Sequence, residues 1–142
     1  MMESRNEKQI VHLLVVEDDP NDVMFLKRAF DHLGIACQMS FAIDGQEAIE
    51  VLSCNTQNQD SIPTHMVLDL KLPKRSGVEV LKWVRKHPRL SRLPVVVFSS
   101  SQEESDMASV LTFGIDSFQV KPVGFADHLR VVGSVARSWG LL

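Results

Sequence analysis

Cysteine is scarce in this chain: Cys37 and Cys54 are the only two, with neither the number nor the spacing of a disulfide framework or a zinc site. Both are expected to be free thiols in a reducing compartment. Long apolar runs are also missing. No segment approaches the ~20 apolar residues that span a bilayer, and the opening MMESRNEKQ lacks the apolar stretch of a secretory leader. A cytoplasmic location without membrane insertion is the expectation. Neither sign of charge is in large excess, because a formal charge of −3 gives no global attraction to nucleic acid or to an anionic membrane. The expected partners are therefore proteins. There is no G-x-G-x-x-G fingerprint and no repeat, which argues against a dinucleotide or flavin site and against a solenoid.

What is present suits one globular domain. With 44% apolar and 23% charged residues, 142 residues are enough to bury a core, and the disordered and collagen-like classes are excluded. Short apolar runs at 10–16, 35–42, 64–70, 93–100 and 116–120 predict five strands. Between them, apolar residues recur at helical spacing: Val23, Leu26, Phe30 and Leu33, then Ala48, Val51 and Leu52, then Val80, Leu81 and Val84, then Met107 and Leu111, and finally Phe125, Leu129, Val132 and Ala136. Four of these helices open on a cap residue with an acid three positions later: Asp19 with Asp22, Asp44 with Glu47, Ser76 with Glu79, and Ser101 with Glu104. Gly34 and Gly114 suit C-terminal caps, and Pro88 suits the end of the third helix. Strict alternation of apolar strand and helix predicts an α/β fold, a (βα)5 flavodoxin-like, doubly wound parallel sheet of strand order 2-1-3-4-5. In that order ligands bind at the carboxyl edge, near the first and third strands.

The residues at that edge carry chemistry. Glu17, Asp18 and Asp19 follow the first strand, Asp69 the third, Ser99 the fourth and Lys121 the fifth. Adjacent strands lie roughly 4.8 Å apart, so Asp18 and Asp69 should face one another. Two carboxylates so close repel unless a hard cation shares the site, and Mg2+ takes one or two carboxylates together with phosphate oxygens. Asp69 is then suited to accept a phosphoryl group, since such transfer needs positioning and charge neutralisation more than an added base. Lys121 offers a compact positive charge for the phosphate oxygens, and the Ser99 hydroxyl offers a hydrogen bond. Each feature alone has a plain structural explanation, such as a helix cap, an ion pair or a satisfied hydroxyl. Their conjunction on one edge does not.

The segments VVEDDPND, DLKLPKRSG, FSSS and FQVKP together resemble the receiver domain of two-component response regulators over roughly residues 10 to 138. With LPK after the acceptor, the extended KHPRLSRLP connection and the KPV ending, the chain looks most like the single-domain regulators that partner cyanobacterial and bacterial phytochromes. The resemblance implies a receiver domain over 10–142, preceded by an extended or disordered segment at 1–9. It implies Asp69 as phosphoacceptor, Ser99 as switch hydroxyl, Phe118 as switch aromatic and Lys121 as phosphate-binding lysine. It places Mg2+ (or Mn2+) on Asp18 and Asp69, on Glu17 through water, and on the backbone carbonyl of Lys71. A cis bond between Lys121 and Pro122 is implied as well. Phe118 departs from the tyrosine often found in the family, and this chain has no tyrosine anywhere.

The function so implied is a phosphorylation switch, not an independent enzyme, although it takes part in its own phosphotransfer and dephosphorylation. Its partner is a sensor histidine kinase, and a phytochrome in the closest subgroup. Self-association through the fourth helix, fifth strand and fifth helix is expected from the apolar breadth of the last helix, and no direct nucleic-acid contact is expected. Two other readings are a constitutive interaction module and a phosphatase. The complete acid, hydroxyl and lysine set argues against the first, and the missing D-x-D against the second. Finally, residues 71–92 hold 8 of the 15 Lys and Arg against the single acid Glu79, read as a solvated helix face or a docking surface for an acidic partner. His12, His32, His65, His87 and His128 show no metal-ligand spacing and receive no role.

Overall fold

The computed structural model describes residues 10–58, 61–100 and 104–142, with the side chains of 104–106 left aside. The expected segment at 1–9 and the Ser101 cap lie outside the described residues. Strands and helices alternate throughout: β1 (Val11–Val16), α1 (Pro20–His32), β2 (Cys37–Ala42), α2 (Gly45–Asn55), β3 (His65–Leu68), α3 (Gly77–Lys86), β4 (Val95–Ser99), α4 (Glu104–Leu111), β5 (Ser117–Val120) and α5 (Phe125–Ser138). All pairs are parallel, in the order β2-β1-β3-β4-β5, as the alternation predicts.

The side-chain period of the strands explains why three of them read as unbroken apolar runs. In β1, Leu14 and Val16 enter one core while Leu13 and Val15 enter the other, and the same division separates Met66 and Leu68 from Val67 and Val95 and Val97 from Val96 and Phe98. One core packs α2, α3 and α4 residues such as Leu52, Leu81 and Val110; the other packs α1 and α5 through Leu26, Phe30, Val132 and Val135. Each fully buried side chain of this size contributes roughly 1.5–3 kcal/mol of transfer free energy, so both faces must be covered.

Local signals set the element ends. Ser76 and Glu79 form the full reciprocal box at the start of α3, each side chain taking the other's backbone N–H. The other two described boxes are partial. The Asp44 carboxylate accepts from Glu47 N, but the Glu47 side chain reaches Ile43 N, one residue before the cap. At α1 the Asp19 carboxylate accepts from Asn21 N, while the Asp19 N–H is taken by Glu17 rather than by Asp22. Gly34 and Gly114 end their helices at φ +71° and +70°, the left-handed conformation that glycine adopts without penalty. Strand β2 begins at Cys37, later than the run at 35 implies, because Ile35 N closes the end of α1 on Phe30 O. The Lys121–Pro122 bond corrects an expectation: no described peptide bond is cis. The trans form is the lower-energy form for X–Pro, by about 0.5–1 kcal/mol.

Candidate functional site

Register alone brings the acids together. Val16 pairs with Leu68, and the next amide along, Asp69 N, donates to Val16 O at 3.1 Å, so the residues that follow β1 and β3 emerge side by side. Glu17, Asp18 and Asp69 each offer a carboxylate oxygen within 4.8 Å of the others. Among the described residues this is the one such group of acidic, histidine or cysteine side chains able to converge on an ion. Three hard oxygen donors of this kind fit a divalent cation such as Mg2+ or Mn2+. Asp69 and Glu17 are buried at 3% and 7% exposure, whereas Asp18 faces solvent.

Lys121 enters from the opposite side. Its amide extends the β4–β5 pairing by donating to Ser99 O at 2.9 Å, which fixes the backbone that launches the side chain. The ammonium then lies 3.0 Å from Asp69 Oδ2, 2.9 Å from Glu17 Oε1 and 2.9 Å from Asp22 Oδ2. Burial pulls the lysine down, but hydrogen bonds to Asp22, Glu17 and Asp69 outweigh it and hold the ammonium firmly charged, above its ordinary value. Glu17 moves up to about 7, chiefly because burial disfavours its charge, with Asp69 adding repulsion against the hydrogen bonds from Lys121 and Asp19 N. One ammonium does not neutralise four neighbouring carboxylates, which is the condition a cation would relieve.

The remaining expected residues fall as follows. Ser99 is fully buried at the end of β4. Phe118 is half-buried on β5 and packs against the α2, α3 and α4 core. Lys71 is exposed, and its amide donates to Asp69 Oδ1 at 3.2 Å, so the loop after β3 folds back over the acid. Two glycines permit that fold. A Cβ on Gly77 would stand 2.2 Å from Asp69 O, and one on Gly45 would stand 1.9 Å from Arg75 O.

Two residues of the site were not singled out by spacing. Asp22 reads in sequence as the acid of a capping box, yet its carboxylate is spent on Lys121, 99 positions away. His128 is 3% exposed, bonds Gly124 O through Nδ1 at 2.8 Å, stacks on Phe25 at 4.7 Å and lines a cavity of about 10 Å3 with Glu17, Asp22 and Lys121. The run of positive charge on α3 and beyond is also partly structural. Arg85 donates to the carbonyls of Phe113, Leu93, Ser91 and Gly114, and Arg89 to that of Thr56.

Known proteins resemble this chain in sequence and fold. The chain is 33% identical over 127 residues to the probable methanogenesis regulatory protein FilR2 of Methanothrix harundinacea, covering 89% of this chain and 82% of that one. The structure of the phosphorylated cyanobacterial phytochrome response regulator RcpA superposes with a TM-score of 0.84 at 28% identity, covering 92% and 94% of the two chains. That of the bacteriophytochrome response regulator AtBRR superposes at 0.72 with 32% identity, covering 95% and 96%. A family model described as the response regulator receiver domain matches residues 13–132. With its sheet order, its acidic edge and its lysine all in place, this chain belongs to the response regulator receiver domain family, in the neighbourhood of the phytochrome response regulators.

Proposed function

We propose that the chain is a phosphorylation switch in which Asp69 takes a phosphoryl group from the phosphohistidine of a sensor histidine kinase. The observation that carries this reading is the placement of the Asp69 carboxylate: buried, 3.0 Å from the Lys121 ammonium and within 4.8 Å of the acids of Glu17 and Asp18. An Asp69 oxygen attacks phosphorus, an O–P bond forms, the P–N bond breaks, and the departing imidazole nitrogen keeps the electron pair. Lys121 neutralises charge on the transferred group, and the Ser99 hydroxyl donates to one of its oxygens. Glu17, Asp18, Asp69 and the carbonyl of Lys71 would hold Mg2+, which supplies further charge neutralisation at the phosphoryl oxygens.

The output is a change of surface. Ser99 ends β4, and Phe118 lies on β5 beside it in register with Val97. Movement of the hydroxyl toward a phosphoryl group gives Phe118 room to follow, which biases two arrangements of the α4-β5-α5 face. That face exposes Leu111, Val120 and Val123, supporting self-association there. The apolar surplus sits on the end of α4 and around β5 more than on α5, whose Val132, Val135 and Ala136 are buried. A groove of about 510 Å3 between α1 and β2, lined by Pro20, Val23, Met24, Phe41 and Ile43, opens beside Glu17 and Asp18 and suits the approach of a kinase, a phytochrome by the likeness to phytochrome response regulators. The free cysteines suit a cytoplasmic setting, and no described helix is long and apolar enough to cross a membrane. The test is phosphotransfer from an autophosphorylated histidine kinase: label should pass to the wild-type chain and not to Asp69→Asn, and equal label on both overturns the assignment.

A further inference from the structure

Asp22 stands on the first turn of α1 and, among the described residues, is the only one of Lys121's three carboxylate partners outside the group able to converge on a cation. A lysine ammonium has three N–H donors, and here they meet Glu17, Asp22 and Asp69 at 2.9, 2.9 and 3.0 Å. Glu17 and Asp69 are shared: with a divalent ion among the acids, both divide their charge between that ion and the lysine. Asp22 is then the partner left to Lys121 alone. The need for it also grows, because the ion repels the ammonium, and a lysine side chain carries about 2 kcal/mol of rotamer entropy that favours its release. The site strengthens the pair. Lys121 and Asp22 have side-chain exposures of 16% and 23%, and the wall beneath them is formed by Leu26, Val67 and Phe98, so the attraction is screened less than on an open surface.

We propose that Asp22 is a positioning residue: it anchors the Lys121 ammonium beside Asp69 while the cation site is filled, and so sets how fast Asp69 takes a phosphoryl group. The proposal rests on the reading of Asp69 as phosphoacceptor. Asp22 acts through Lys121, tying the turn after β5 to α1 across 99 positions of sequence. Its isostere Asn keeps the size but loses the charge. Glu restores the charge one methylene further out.

Two readouts on the intact chain separate this role from a general effect on folding. The first is the rate of phosphoryl uptake from acetyl phosphate at saturating Mg2+, followed by intact mass for wild type, Asp22→Asn, Asp22→Glu and Asp69→Asn. The second is the 15N–1H signal of the Lys121 ammonium, recorded with and without Mg2+ and with no phosphodonor. Asp22→Asn should take up phosphoryl about five- to tenfold more slowly. Its Lys121 signal should be lost to solvent exchange, most completely when Mg2+ is present, and Asp22→Glu should recover much of both. A wild-type uptake rate in Asp22→Asn together with an unchanged Lys121 signal overturns the proposal. So does slow uptake in which Glu behaves like Asn and the signal is unchanged, which would mark a structural defect. Failure of the underlying reading looks different: Asp69→Asn would then be labelled like wild type, or wild type not at all, while the Lys121 signal still decides whether Asp22 is the anchor.

Discussion

The main chain of Gly77 lies so close to Asp69 that a Cβ at position 77 would stand 2.2 Å from the Asp69 carbonyl oxygen and 2.7 Å from Leu70 Cα. The contact is between two backbones, and Gly77 N donates to Leu70 O at 3.0 Å, so no side-chain rotation relieves it. Gly77→Ala should therefore cost about 1–3 kcal/mol of stability and displace Asp69 from Lys121, with slower phosphoryl uptake. Denaturant unfolding and a phosphodonor time course check the two parts. Wild-type values in both would show that the loop yields freely.

The acidic edge makes the cation-free protein sensitive to pH. Glu17 in the folded chain titrates at about 7, above its ordinary 4.5, so the native state binds more protons than the unfolded one between those values. Stability should be highest below about 4.5 as far as this group is concerned, and should fall as pH rises from there through 7, by on the order of 3 kcal/mol. Saturating Mg2+ should flatten the dependence, and Glu17→Gln should remove most of it. Thermal unfolding between pH 5 and 8.5, with and without Mg2+, measures the slope; a stability that climbs over that window contradicts this assignment of the buried charge.

Arg85 should matter for the fold, unlike Lys82 and Arg92 of the same charge run. Its guanidinium holds Phe113 O at 2.6 Å and Leu93 O at 2.9 Å, joining the end of α3 to the segments before β4 and β5. Arg85→Ala should destabilise by about 2 kcal/mol, whereas Lys82→Ala and Arg92→Ala, at exposed positions, should stay within about 0.5 kcal/mol. Equal costs at all three sites would mean that the charge run acts as a whole.

How much of this was legible in the sequence depended on whether the cause was local. Ser76 and Glu79 sit three apart and form the box that the spacing predicts, and the runs of β1, β3 and β4 are apolar because both faces are covered. The gathering of Glu17, Asp18, Asp69 and Lys121 followed from strand order, since the alternation predicts the order and the order decides which strand ends are neighbours. Asp22 escaped because the spacing offered a sufficient local explanation, while its real partner arrives from the end of β5. His128 escaped for a related reason: nothing in its helical spacing shows that α5 turns it onto Phe25 and the wall beneath Lys121. The bond before Pro122 was carried over from the family and not from a physical constraint in this chain, and it is trans.

Val123 is 86% exposed and Leu111 59%, a large apolar surplus for neighbouring elements. If copies of the chain meet on this face, Val123→Glu should weaken self-association without loss of stability. Sedimentation velocity across a concentration series checks it, before and after phosphodonor treatment. A monomer at all concentrations and in both states contradicts the dimer.

The central claim is that Asp69 is the residue that carries the phosphoryl group. Acetyl phosphate and Mg2+ should add a single phosphoryl group to the intact chain, stable in acid and labile in base, and mapping by borohydride reduction should place it on Asp69. Addition that persists in Asp69→Asn, or that maps to another residue, would contradict the account at its root.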